Sequence, residues 1–156
     1  MKFNVENKTK KKKEKQKKYY IKLLDKWWAD SVKTRDDWKC VRCGRKHGEI
    51  TKTKIGRDKE TKEDRFKYGK VILTAAHIFS RTILELKYEI NNGIAMCYKC
   101  HFTWQPNAPI EFTFMLIKLK GIKFLMNLFK RSKIKKEYSL DEYIQMCRDR
   151  NLLKEN

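Results

Sequence analysis

The sequence predicts an α+β protein: a few short strands pinned by a four-cysteine zinc site, surrounded by helices and preceded by a basic arm. Three observations carry this. Two Cys-x-x-Cys pairs, Cys40/Cys43 and Cys97/Cys100, account for four of the five cysteines. The run Val71-Ile-Leu-Thr-Ala-Ala-His77 reads as a buried strand and Ile94-Ala-Met96 as a short second one. Stretches after Tyr19 and after Pro109 repeat apolar residues at three- and four-residue spacing, which is helical. A chain of 156 residues is long enough for one domain with a modest core plus additions.

Charge narrows the partner. The chain holds 39 Lys+Arg against 19 Asp+Glu, a formal net charge of +20. A field of that size favours polyanions, most simply nucleic acid. Residues 1–18 contain nine lysines and two glutamates and cannot bury a core. They read as a basic arm, disordered or loosely helical when free, followed by one domain over 19–156. Lys10, Lys11, Lys12 and Lys13 are its candidate phosphate contacts; a solvated, solubilising tail is the bland alternative. The apolar stretch Ile110–Phe129 is interrupted by Lys118, Lys120, Gly121 and Lys123, so no membrane span is expected. Met1 is followed by lysine without an apolar run, so no secretory leader is expected and the location reads as cytoplasmic. In that compartment paired cysteines favour metal over disulfide.

In chain order, Tyr20, Leu23, Leu24, Trp27 and Trp28 form a helical face that packs on the zinc-bearing unit; stacking of the two tryptophans on bases is the lesser alternative. Trp38-Lys-Cys-Val-Arg-Cys-Gly44 has the chemistry of a zinc knuckle: two thiolates reach one tetrahedral ion, and Gly44 eases the turn beneath it. One such pair also fits a redox motif; the second pair, Cys97/Cys100, points to four-cysteine zinc. The 53 residues between Cys43 and Cys97 exceed an ordinary ribbon spacing, so an insertion projects from the site. His47 is a spare ligand that the four cysteines make unnecessary. Residues 48–70 read as a charged, solvated excursion, with a hairpin around Gly56 as its ordered form.

The first strand ends at His77. Asn92-Gly93 is a turn signal, the second strand follows, and the second knuckle opens a helix holding His101. After Pro109 one helix carries Phe112, Met115, Leu116 and Leu119; Gly121 breaks it, and a second carries Phe124, Leu125, Leu128 and Phe129. Residues 112–136 hold eight basic residues and no acid, which makes Lys130, Arg131, Lys133, Lys135 and Lys136 candidate DNA contacts. Ser139-Leu-Asp-Glu142 has the form of a capping box opening the last helix, with Cys147 a buried thiol rather than a ligand.

The segments CVRCG, AAHIFSR and NNGIAMCYKCH resemble the HNH endonuclease superfamily, whose core is a ββα-metal finger. The likeness is greatest to the phage-encoded, NinG-type recombination nucleases. They share His-x-x-x-Arg after the first strand (His77 to Arg81), an aromatic-acid pair before the Asn (Tyr88-Glu89), and an Asn-x-Pro-x-Glu-aromatic segment (Asn107 to Phe112). The likeness covers about Trp38 to Cys147. It implies that His77 is the general base, that Asn92 holds the His77 loop, and that His101 binds a catalytic divalent metal, magnesium or manganese. Arg81 is then a DNA contact. Many members place a second metal ligand immediately before the base, where this chain has Ala76, so Glu89 is a candidate replacement and Ala76→Asp is expected to raise metal affinity.

The expected function is a metal-dependent DNA endonuclease acting on branched or recombination intermediates, in the host cytoplasm if phage-encoded. A non-catalytic, zinc-containing nucleic-acid-binding protein is the second reading, and His77, Asn92 and His101 distinguish them, since a binding module needs none of the three. A redox protein fits poorly, because both pairs flank a finger rather than open a helix after a single strand. No obligate protein partner is inferred.

Overall fold

The computed structural model describes the backbone of residues 2–153 and the side chains of residues 10–153. Helix α1 (Lys2–Arg35) opens the chain. It contains neither glycine nor proline, and its lysines, glutamates, leucines and alanine are good helix formers. The expected disordered arm is therefore continuous with this helix, and Lys10, Lys11, Lys12 and Lys13 are exposed along it. Lys2 and Lys8 lie outside the described side chains.

α1 ends in a sharp reversal. Asp37 and Trp38 both take left-handed backbone conformations, with φ of 53° and 52°. Non-glycine residues there cost on the order of 1–2 kcal/mol each. Hydrogen bonds from the Trp38 and Asp37 amides to the Lys33 and Thr34 carbonyls hold the turn. The Lys33 ammonium lies 4.7 Å from the centre of the Trp38 ring. The reversal brings Cys40 under the sheet.

Two separate antiparallel pairs follow. β1 (Ile50–Arg57) and β2 (Asp64–Lys70) form a hairpin, and β3 (Leu73–His77) pairs with β4 (Gly93–Cys97) so that His77 faces Gly93 and Leu73 faces Cys97. Gly56 lies within β1 beside a bulge at Ile55 rather than at the hairpin's tip. Between β3 and β4 lie the short helix α2 (Leu84–Lys87) and a tight turn, Ile90–Asn92. After β4 comes a wide, π-type helical turn, Cys100–Trp104, then α3 (Gln105–Asn107), α4 (Pro109–Lys120), α5 (Ile122–Arg131) and α6 (Leu140–Arg148). Gly121, at φ +82°, separates α4 from α5. Ser139 and Glu142 form the expected reciprocal cap of α6.

The β3–β4 pair has helices on both sides. Ile94 and Met96 of β4 join Leu73, Ala76 and Leu116 of α4 in one cluster. On the other side Leu24, Trp28 and Val32 of α1 pack with Tyr88 and with Tyr143 and Cys147 of α6. Trp27 and Trp28 are thus packing residues: Arg150 covers Trp27 at 4.5 Å, and Trp28 is buried. Cys147 is the expected buried thiol, its sulfur 3.8 Å from the Tyr20 carbonyl.

Gly93 sits where the expected turn ends. Its amide donates to the Ile90 carbonyl and closes that turn, while its backbone is extended, at φ −119°, and opens β4. A Cβ there would sit 2.6 Å from both the Trp28 ring and a Val32 methyl. Glycine is required so that α1 can approach the strand.

Candidate metal centre and histidine cleft

The four cysteines converge as the spacing predicts. Sulfurs of Cys40, Cys43, Cys97 and Cys100 all lie within 4.8 Å of one another, and Cys43 and Cys97 are 3.8 Å apart. Thiolates arranged tetrahedrally at a zinc–sulfur distance of about 2.3 Å are about 3.8 Å apart, so the set fits zinc. Local structure builds the cage. The first knuckle closes through the Gly44 amide on the Cys40 carbonyl, with Gly44 at φ +72°. The Val41 amide donates to the Ala95 carbonyl, tying the knuckle to β4. Burial opposes ionisation of Cys40, but backbone amides of Cys97, Cys43 and Arg42 outweigh it and lower its pKa. Cys100 behaves oppositely: burial, and then the neighbouring thiols, push it up to about 12 despite the Arg42 guanidinium 3.6 Å away. Crowded thiols of this kind ionise together only around a cation. His47 is not a fifth ligand; its Nδ1 accepts the Leu73 amide at 3.3 Å.

The histidines meet elsewhere. His77 and His101 line one cleft of about 530 Å³, together with Asp25, Trp28, Arg81 and Lys87. His77 ends β3, and its Nε2 lies 3.0 Å from the Lys87 carbonyl. A carbonyl only accepts, so Nε2 carries the proton and Nδ1 holds the lone pair. The Trp28 ring stacks on the imidazole with centroids 3.7 Å apart and planes 10° from parallel. Trp28 is itself held by its indole N–H on the Glu89 carbonyl at 2.9 Å. Burial lowers the His77 pKa; the Lys87 carbonyl opposes this, and Arg81 reinforces it.

His101 lies on the π-type turn. Its Nδ1 is 2.8 Å from the Thr74 hydroxyl, which also lies 3.1 Å from the Met96 carbonyl. The hydroxyl has one proton and the carbonyl must receive it, so His101 donates from Nδ1 and keeps its lone pair on Nε2. Burial lowers its pKa as well. Both imidazoles are therefore neutral near pH 7, in defined tautomers.

Asn92 is fully buried and acts on the loop after His77. Its Oδ1 accepts the Phe79 amide at 2.8 Å, and its Nδ2 donates to the carbonyls of Phe79 and Leu86 at 3.0 and 3.1 Å. Every bond spans the segment that separates β3 from β4.

Three expectations change in detail. Glu89 does not line the cleft; its carboxylate pairs with Arg131 at 3.3 Å and accepts the Asn91 amide. Position 76 also faces away. Ala76 is fully buried among Leu73, Ile94 and Met96, and Ala75 lines the cleft instead. Ala76→Asp would bury a carboxylate in an apolar cluster rather than complete a site. Among the basic residues, Arg81 reaches the cleft, and Lys130, Lys133 and Lys135 are exposed. Arg131 and Lys136 instead pair with Glu85 at 3.2 Å each, tying α5 and the following segment to α2.

Sequence reasoning missed Asp25, Trp28 and Lys87. Asp25 reaches the cleft from α1, with its carboxylate 3.0 Å from the Lys87 ammonium. The available signal was weak: Asp25 borders the apolar face of a helix more than 50 positions upstream of His77. Comparison with family models, with curated proteins and with solved structures yields no match for this chain.

Proposed function

We propose that the chain is a metal-dependent DNA endonuclease of the HNH kind, acting in the cytoplasm, with β3, β4 and the helical turn after them serving as a ββα-metal finger. The observation that carries the reading is the convergence of His77 and His101, each with its tautomer fixed, on a single cleft beside Arg81. A structural centre alone needs neither histidine.

In this reading Nδ1 of His77 takes the proton from the water that attacks the phosphorus. The Lys87 carbonyl and Trp28 fix the ring, and the lowered pKa keeps it neutral and able to accept. Arg81 receives the phosphate charge. Asn92 keeps the loop from opening. Nε2 of His101 would hold magnesium or manganese, which when bound polarises the phosphate and stabilises the leaving oxygen. Branched or recombination intermediates of a phage are the substrates that the sequence resemblance suggests.

One observation favours the second reading, a zinc-containing nucleic-acid-binding protein without catalysis. Asp25 already pairs with Lys87, so once His77 is assigned as the base, His101 is the one ligand that the described residues of the cleft leave for a catalytic metal. Cleavage of duplex and branched DNA with magnesium or manganese separates the two. His77→Ala is expected to lower the rate about 10²- to 10⁴-fold while zinc content and DNA affinity stay unchanged. Added metal should partly restore His101→Ala but not His77→Ala. Binding without cutting on every substrate would leave the second reading.

A further inference from the structure

The hairpin β1–β2 takes no part in the cores. None of its residues belongs to either apolar cluster, and every residue of both strands is exposed except Thr51. A two-stranded hairpin is marginal in water by itself, yet this one holds seven cross-strand pairs. At about 3.3 Å per residue its strands run roughly 25 Å. Its base is fixed at both ends: the Val71 amide donates to the Glu49 carbonyl and the Gly48 amide to the Val71 carbonyl, both at 2.8 Å. The ribbon thus rises directly from the zinc knuckle and runs, through Val71 and Ile72, into the strand that ends at His77.

Its two faces differ. The register sets Ile50 opposite Lys70, Lys52 opposite Tyr68 and Lys54 opposite Phe66. Directly opposed residues share a face, and residues two apart along a strand share it too. One face therefore carries both aromatic rings and three lysines, while the other carries Thr51, Thr53, Lys67 and Gly69. Tyr68 is 62% exposed and Phe66 39%. The Lys52 ammonium lies 3.8 Å from the Phe66 ring centre, on the same face. Of the lysines, Lys54 is neutralised by Asp64 at 2.7 Å.

The tip does not share this character. Residues 58–63 hold Asp58, Glu60 and Glu63 against Lys59 and Lys62. The tip thus lacks the cationic excess that would seat it in a duplex groove, whereas the aromatic-cationic stem suits a different form of the same polymer. Exposed rings on a strand face stack on bases, and stacking requires bases that are unpaired. Flanking ammonium groups follow the phosphates.

We propose that the Tyr68–Phe66 face of the ribbon binds single-stranded nucleic acid, stacking unpaired bases on the two rings while Lys52 and Lys70 contact the backbone. The inference deepens the nuclease reading: it makes the substrate a DNA with an unpaired segment. The ribbon's contribution to binding does not depend on whether the cleft cuts.

The test is equilibrium binding of the full-length, zinc-loaded protein to a fluorescent oligothymidine and to a blunt duplex of equal length, without added magnesium or manganese. Tyr68→Ala and Phe66→Ala are expected to weaken single-strand binding roughly 5- to 100-fold each, and to leave duplex binding unchanged. Tyr68→Phe should retain the affinity, because the ring remains. These side chains are exposed, so zinc content and thermal unfolding should match the wild type. Unchanged single-strand affinity in both alanine variants would overturn the proposal, as would equal losses on single strand and duplex. A protein that cuts no DNA but shows the selective loss would retain the ribbon assignment and lose the nuclease one.

Discussion

The His77 imidazole is held from three directions: by the Trp28 ring on one face, the Lys87 carbonyl at Nε2, and the Asn92-braced loop behind it. Because burial depresses its pKa, against the opposing Lys87 carbonyl and Asp25 and with help from Arg81, the unfolded chain takes up the proton first as pH falls. The stability this contributes is present above about 6.5, the ordinary histidine value, and is lost as pH drops from there towards the folded-state value. Chemical denaturation at a series of pH values should show that loss, and His77→Gln should reduce it, with buried His101 contributing the remainder in the same direction. If His77 is the base, the acidic limb of the rate profile should lie below 6.5 rather than at it, read from kcat/KM against pH, which reports the free protein. Trp28 offers a separate check. Trp28→Ala empties a buried site and should cost about 3–5 kcal/mol in a denaturant titration. Trp28→Phe keeps an aromatic face for His77 but loses the bond to the Glu89 carbonyl, so it should be the milder change in both stability and rate.

Between elements, the decisive contact is α1 against β3 and β4. Arg35 reaches the carbonyls of Ile90 and Gly93 at 2.7 and 2.8 Å, and Asp36 accepts the Ala95 amide at 2.7 Å. These bonds satisfy the outer edge of β4, which no further strand among the described residues covers. The Val41 amide uses the Ala95 carbonyl on the same edge. Gly93 permits the approach. Gly93→Ala inserts a methyl 2.6 Å from Trp28 and Val32, and should destabilise by about 1–3 kcal/mol, as overpacking does. The same variant should disturb the Trp28–His77 stack, visible as a change in tryptophan fluorescence. Normal stability in Gly93→Ala would show that α1 can shift without cost.

At the scale of the whole molecule, the four-cysteine cluster, which could hold a metal such as zinc, joins segments that are far apart in sequence. It fixes the first knuckle to the end of β4 and the start of the π-type turn, and so holds His101 over Thr74. Cys97→Ser should reduce bound zinc below one ion per chain by elemental analysis and melt the β3–β4 unit, because metal binding supplies folding energy in sites of this kind. Strong chelation of the wild type should have the same effect on its circular dichroism. A chain that stays fully folded after losing its metal would remove the centre from the folding account.

The cysteine spacing by itself determined which four thiols converge into a cluster that could hold a metal, since two Cys-x-x-Cys turns leave few other arrangements for them. The β-branched run ending at His77, the capping box at Ser139 and the helical periods after Tyr19 and Pro109 were legible for the same reason: each is set by residues near one another in sequence. Positions separated along the chain were not legible. Periodicity could not tell that α1 would lay Asp25 and Trp28 into the His77 cleft, nor that Glu85 and Glu89 would claim Arg131 and Lys136. It read Asn92-Gly93 as a turn signal, and a turn does end there, but it could not tell that the glycine also serves the close passage of a helix about 60 positions upstream. It also could not assign Ala76 to the buried cluster and Ala75 to the cleft. Local order follows from local propensity and ligand spacing; which side chains share a cleft depends on how helices pack across the strands, and only the tertiary structure decides that.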